Sequence, residues 1–250
     1  MIVVSVICHG HERLIPELDC LSKLARDDNI KVVLKNNCQL NDSHLSEYCD
    51  ENGVFFVDEH YGKGFGENNN YVFDYALKNL GLTDDDYFIV LNPDVNIELS
   101  ELNLLIEKMK KNATKLAAIN LYKDIEFKAY DKSIRNYPRF KDFVHSLLLG
   151  RNKTLIDKSK INDIIKVDWA AGSFLAFNVQ HYKALKGFDE GYFMYCEDLD
   201  ICWRSNRECG EKVQYYPTIK ALHLAHHGSR SIFSKHFFWH LKSVFRYIYK

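Results

Sequence analysis

Two rhythms of apolar residues alternate along the first half of the chain. Short β-branched runs occupy Ile2 to Ile7, Ile30 to Leu34, Val54 to Val57 and Tyr87 to Leu91, separated by helix-length stretches. Between them Leu14, Leu18, Leu21 and Leu24 recur at helical spacing, and so do Leu102, Leu105, Ile106 and Met109. This alternation predicts an α/β fold in which helices flank a central, mostly parallel twisted sheet. Open sheets of that kind bind ligands beyond the carboxyl ends of their strands. The tails of the runs, CHGH, KNNC, DEHYGKGFG and NPDV, are therefore where chemistry is expected.

The remaining pattern narrows the class. With 250 residues and 46% hydrophobic content the chain can bury one sizeable core. A net charge of -1 provides no global basic field, so nucleic acid is not an expected partner. Seven cysteines show neither a CxxC pair nor zinc-finger spacing, which fits reduced thiols in the cytoplasm. The sequence lacks a basic region followed by a long apolar run before the strand-like IVVSVIC, so neither a signal peptide nor a transmembrane span is expected. From Lys123 to Lys166 the sequence turns polar, apart from an apolar patch at Phe143 to Leu149. That stretch reads either as a cover over the site or as a passive surface excursion.

Chemistry concentrates in Gly187 to Arg204, GFDEGYFMYCEDLDICWR, which sets Asp189, Glu190, Glu197, Asp198 and Asp200 among aromatic residues. Carboxylates packed in this way repel one another and lose hydration, which suits acid/base work or cation binding. Acidic residues also suit the positive end of a helix, so a solvated helix start is the rival. Asp94, just past YFIVL, is placed to reach a ligand, and a hard cation takes one or two such carboxylates plus phosphate oxygens and water. Asn92-Pro93-Asp94 is equally ordinary turn chemistry. The glycines of Gly62 to Gly66 permit close backbone approach before a helix, but their spacing matches neither a Walker loop nor a dinucleotide fingerprint.

In order, SVICHGH, VVLKNN, GKGFGENNN, LNPDV, WAAGSFLAF, GFDEGYFMYCEDLDICWR, YYPTIKALH and the closing SRSIFSKHFFWHLKSVFRYIYK resemble the family 2 glycosyltransferases, especially bacterial rhamnosyltransferase-like members. The resemblance spans nearly the whole chain. It implies a GT-A fold, a nucleotide-diphosphate sugar donor, Mg2+ or Mn2+, and inversion at the anomeric carbon. Residues 1–122 then form the nucleotide-sugar half, 123–230 the acceptor half, and 231–250 an appended helix. Asp94 becomes the metal contact with His223 completing the site, and Asp198 the general base, with Glu197 orienting the acceptor or exchanging roles with it. His9, Asn36, Asn37, Gly64, Asn69, Asn92 and Arg230 fall on the donor, and Trp169, Gly172 and Tyr195 on the acceptor. His9-Gly10-His11 and Lys35-Asn36 depart from the family's usual Thr-Tyr-Asn and Asp-Asn, so the base contact is not the family's ordinary one.

Several assignments have plain structural rivals. Trp169 is either a sugar-stacking face or a core residue. His223 has His226 and His227 as neighbours, and Arg230 is either a phosphate grip or a surface cation. From Lys212 onward there is no Asp or Glu, and a helical wheel sets Phe237, Phe238, Leu241, Val244, Phe245 and Ile248 opposite Lys235, Lys242, Arg246 and Lys250. Such a helix either rests on the inner face of an anionic membrane, where a lipid-linked acceptor resides, or packs its apolar face on its own domain.

The expected activity is sugar transfer, rhamnose from deoxythymidine-diphosphate rhamnose, to a saccharide or lipid-linked saccharide during assembly of bacterial surface polysaccharide such as O-antigen. A non-catalytic sugar-nucleotide or glycan-binding module of the same fold is the alternative. A nucleotidyltransferase is disfavoured, since no GxGTR-like loop stands near the N-terminus.

Overall fold

The computed structural model describes residues 1–39, 43–143, 152–225 and 235–250. The chain runs through β1 (Ile2–Cys8), α1 (Leu14–Leu18), α2 (Cys20–Ala25), β2 (Ile30–Asn36), α3 (Ser43–Glu51), β3 (Phe55–Val57) and α4 (Phe65–Asn79). It continues through β4 (Tyr87–Leu91), β5 (Val95–Asn96), α5 (Leu99–Lys111), β6 (Leu116–Tyr122) and β7 (Ile134–Arg135). Then follow β8 (Ile165–Val167), β9 (Trp169–Ala170), β10 (Phe174–Asn178), α6 (Val179–Ala184), α7 (Glu197–Cys209), β11 (Val213–His223) and α8 (Lys235–Ile248).

The main sheet has the order β3-β2-β1-β4-β10-β6-β11-β5, with β8 also on β11, and β7 pairs β9 beside it. Strands β1 to β4 are parallel neighbours, as are β6 and β11, while β10 runs antiparallel between β4 and β6. The expected mostly parallel sheet is thus interrupted in its interior by the reversed β10, and β5 and β8 pair antiparallel with β11 at its far side. Strand β10 matters for the site, because it carries the chain from Gly172 back alongside Leu91.

Every residue of β1, β4, β6 and β10 is buried, as both faces of the sheet are covered. Ile2, Val4 and Val6 face a layer holding Ile15, Leu24, Leu45, Leu105 and Met109 from α1, α2, α3 and α5. Val3 and Ile7 face Val72, Phe73, Tyr182, Leu199 and Val244 from α4, α6, α7 and α8. The single helix suggested by the leucines at 14 to 24 is two short ones, because Asp19 adopts a left-handed backbone at φ 51°.

Candidate active site

Strand pairing builds the first corner. His223 lies opposite Val95 in the antiparallel β5–β11 pair, and the Leu224 N–H donates to the Asp94 carbonyl at 3.1 Å. Asp94 is thereby set beside His223, with Oδ1 3.5 Å from Nε2. Oδ1 is buried and no hydrogen bond satisfies it. On the other side of the ring, Nδ1 is 2.7 Å from Asp131 Oδ2. Burial alone would lower the His223 imidazole, yet Asp131 and Asp94 push it up to about 9. Burial likewise would raise the Asp94 carboxyl, but His223 holds it below the ordinary carboxylate range. Two carboxylates around one imidazole favour positive charge in this corner, which a ring proton supplies or, once the ring has released it, a divalent cation beside the unsatisfied Asp94 oxygen. Among the described residues no group of three or more His, Cys, Asp or Glu side chains could hold a metal ion. A cation here would rest on Asp94 and His223, with the rest of its shell drawn from phosphate oxygens and water.

A second corner is built at the start of α7. Tyr195 and Cys196 both have positive φ, 72° and 66°, so two left-handed residues in succession turn the chain into the helix. Such conformations cost about 1–3 kcal/mol each in non-glycine residues and tend to mark functional positions. They deliver Glu197 and Asp198 into the first turn. Asp198 Oδ2 accepts the Gly172 N–H at 3.0 Å, and Oδ1 accepts the Leu199 N–H at 2.8 Å. Burial raises the Asp198 carboxyl, opposed by those N–H donors and by the Arg135 charge. Glu197 is pushed up to about 8, first by burial and then by the Asp198 charge, and its Oε2 is buried without a partner. Two such neighbours readily hold one proton between them.

One turn of backbone joins the corners. The Asn92 N–H donates to the Ser173 carbonyl at 3.0 Å, one residue from the Gly172 N–H that holds Asp198. Asn92 to Val95 does form the turn that Asn-Pro-Asp suggested, closed by Val95 N–H on the Asn92 carbonyl, and the turn is what presents Asp94.

The other acidic residues of Gly187 to Arg204 are engaged as scaffolding. Asp200, fully buried, takes Arg204 at 2.7 Å and Lys250 at 2.6 Å. Asp189 takes Arg246 at 2.9 Å and Glu190 accepts from Asn70.

Several sequence-selected residues are held by the protein itself. Asn36 donates to Asp58 and accepts from the Cys38 N–H, while Asn37 exchanges two hydrogen bonds with the Lys63 backbone. Both amides thus brace the loop after β3. Asn69 spans Ser5 and the Phe65 carbonyl in the interior. Gly64 is a close-packing position, since a Cβ there would sit 2.5 Å from the Phe193 carbonyl oxygen. Trp169 is a core residue at 7% exposure; its indole N–H donates to the Asn136 carbonyl and the Arg135 guanidinium covers its ring at 4.9 Å. His9 is exposed, with Nδ1 3.2 Å from Cys38 Sγ. Tyr195 is also exposed and meets the His240 ring edge-on at 5.4 Å. Arg230, with Ser229, lies outside the described residues.

Helix α8 packs on its own domain through only part of the face the wheel selects, Val244 and Ile248, and not through Phe238, Leu241 or Phe245. Ser243 and Val244 are buried and Tyr247 and Ile248 half-buried, while Arg246 and Lys250 reach inward to Asp189 and Asp200. Phe238, Leu241, Phe245 and Tyr249 point outward. The acidic loop draws the cations in and leaves the aromatic stripe exposed. No described helix is long and apolar enough to cross a membrane.

Asp131 and Arg135 were not selected from the sequence. Both lie in the polar stretch after Lys123, where neither helical nor strand periodicity distinguishes them.

No family model matches the chain. It is 38% identical over 250 residues to the rhamnosyltransferase WbbL of Escherichia coli (strain K12), covering 99% of this chain and 92% of that protein. It is 26% identical over 170 residues to the N-acetylglucosaminyl-diphospho-decaprenol L-rhamnosyltransferase of Mycobacterium tuberculosis, covering 66% of this chain and 55% of that one. Its fold is similar to that of GalNAc-T7, solved with UDP, GalNAc and Mn2+, at TM-score 0.61 and 17% identity, covering 89% of this chain and 43% of that one. With its fold matched to a GT-A enzyme and a full-length relative well above 30% identity, the chain belongs to the family 2 glycosyltransferases, among their rhamnosyltransferase-like members, and is an enzyme that transfers a sugar.

Proposed function

We propose that the protein transfers rhamnose, with inversion, from deoxythymidine-diphosphate rhamnose to a saccharide or lipid-linked saccharide during assembly of a surface polysaccharide. The observation that supports this is the junction of the two corners through Asn92, Ser173 and Gly172, with the Asp94 carboxylate, one oxygen unsatisfied, on one side and the Asp198 carboxylate, held by backbone N–H groups, on the other. The names of the two relatives support rhamnose, and the second supports a diphospho-lipid acceptor. Residues 1–122 supply the donor side and 123–230 the acceptor side.

Asp198 removes the proton of the acceptor hydroxyl. The freed oxygen lone pair attacks the anomeric carbon from the face opposite the diphosphate, the anomeric C–O bond breaks, and the configuration inverts. Asp94 and His223 would hold a divalent cation, Mg2+ or Mn2+, whose charge would neutralise the departing diphosphate. Gly172 and Leu199 fix the Asp198 carboxylate so that little reorganisation precedes proton transfer. Glu197, kept protonated by burial, has an O–H to donate to an acceptor oxygen and leaves the negative charge on Asp198. Helix α8, with Phe238, Leu241, Phe245 and Tyr249 outward beside Lys242, supports peripheral contact with a cytoplasmic membrane face carrying the acceptor.

The test is Asp198→Asn. Thermal shift with deoxythymidine-diphosphate rhamnose and Mn2+ should still report donor binding, whereas transfer falls by about two to four orders of magnitude. Transfer at the wild-type rate would sink the assignment of the base.

A further inference from the structure

The polar stretch after β6 delivers one residue to the metal corner. Lys123 N–H donates to the Ala129 carbonyl, and Asp131 N–H returns to the Leu121 carbonyl at 2.9 Å, so the chain folds back as a hairpin on the end of β6. A bridge between Tyr122 and Tyr130 closes it. Because Tyr122 is in register with Leu222 on β11, the hairpin brings Asp131 against the next residue, His223. Lys158, buried, donates to Ser133 Oγ at 2.7 Å and pins the hairpin from beneath.

We propose that Asp131 is the positioning residue for His223: its carboxylate accepts the Nδ1–H, fixes the ring and its tautomer, and leaves the Nε2 lone pair directed toward Asp94 for the cation. This rests on the metal reading of Asp94 and His223. A neutral imidazole carries its proton on either nitrogen, and only one choice leaves Nε2 free to coordinate. The 2.7 Å contact at Nδ1 makes that choice, with the side chains of Asp131 and His223 only 12% and 9% exposed. Asp131 is not itself a donor to the cation, as it sits on the nitrogen turned away from Asp94. Lys123 Nζ, 3.9 Å from Oδ1, offsets part of its charge.

The experiment titrates Mn2+ alone into the full chain and follows free Mn2+ by electron paramagnetic resonance, for wild type, Asp131→Ala, Asp131→Asn, His223→Ala and Asp94→Ala. Asp131→Ala should weaken Mn2+ by about 10–100-fold. Asp131→Asn should weaken it less, since the amide oxygen still accepts the Nδ1–H. Nitrogen-15 NMR of histidine-labelled protein, recorded with the rings neutral, should show the His223 proton on Nδ1 in wild type and its loss from that position in Asp131→Ala. Should the alanine variant not fold, Asp131→Asn and the wild-type tautomer decide. Mn2+ affinity in Asp131→Ala within about twofold of wild type, while His223→Ala and Asp94→Ala lose it, would overturn the positioning role alone. Unchanged affinity in Asp94→Ala and His223→Ala would overturn the metal corner and Asp131's role with it.

Discussion

Glu197→Gln should stabilise the protein above neutral pH while impairing the enzyme. The buried Glu197 carboxyl has an ordinary value of 4.5 that is raised to about 8 by desolvation and by Asp198. Each tenfold change in proton affinity is worth about 1.4 kcal/mol, so ionising this group in the native state costs up to about 5 kcal/mol. A glutamine still buries an amide whose oxygen or nitrogen replaces the unpartnered Oε2, and part of the rise belongs to the pair rather than to Glu197, so a net gain of about 2 kcal/mol is expected.

The sign follows from proton linkage. Below pH 4.5 Glu197 is protonated whether the chain is folded or not, and it adds no pH dependence. Between 4.5 and about 8 the unfolded chain has released the proton and the native state keeps it, so wild-type stability falls as pH rises. Above about 8 the penalty is fully present. Other groups that titrate in the same range cancel in the difference between variant and wild type, except Asp198, whose share of the pair is why the expected gain is set below the full cost. Thermal unfolding of both from pH 4 to pH 9 should therefore show a gap that opens with pH and reaches about 4–8 °C. A gap that stays flat, or a glutamine variant less stable than wild type at pH 9, would mean that the Glu197 carboxyl is not raised in the native state and is ionised already at neutral pH, and the division of labour with Asp198 would fail.

Gly64→Ala forces a Cβ to 2.5 Å from the Phe193 carbonyl oxygen and 2.9 Å from its Cα, both backbone atoms, so the loop leading to Glu197 must shift. A loss of about 1–3 kcal/mol in unfolding experiments together with reduced transfer is expected, and wild-type values of both would contradict the close-packing account. Replacing Phe238 and Phe245 together by Ser should abolish co-flotation with phosphatidylglycerol vesicles and leave transfer to a soluble saccharide intact; undiminished flotation would remove the outward stripe from membrane contact.

The legible parts of the fold are those whose cause is local. Runs such as Ile2 to Ile7 and Tyr87 to Leu91 are apolar because both faces of the sheet are covered, and α4 and α5 carry their own helical periodicity. The reversed direction of β10 depends on which strands flank it, and nothing within Phe174 to Asn178 encodes that. At the candidate site, the sequence company of Asp94, Glu197 and Asp198 singles them out, and the fold sets them at the two corners joined through Asn92, Ser173 and Gly172. Asn36 and Asn37 stand at the end of β2 and Asn69 in the first turns of α4, where the family resemblance points to a donor, but an amide that braces the protein and one that reads a ligand have the same sequence.

The two largest departures share a physical reason. A helical wheel assigns α8 by hydrophobicity, which presumes that the domain offers it an apolar seat. The domain offers Asp189 and the buried Asp200, already paired with Arg204, and these carboxylates draw Arg246 and Lys250 inward at the expense of covering Phe238 and Phe245. Asp131 follows the same logic, because a polar hairpin reads as surface until a buried imidazole with an unanswered nitrogen is placed beside it. In both places the decisive partner is a buried charge remote in sequence. The cation end of α8 is consequently tied to the loop that leads to Glu197 and Asp198, so whatever binds the outer face of this helix acts on an element that already braces the proposed base and its neighbour.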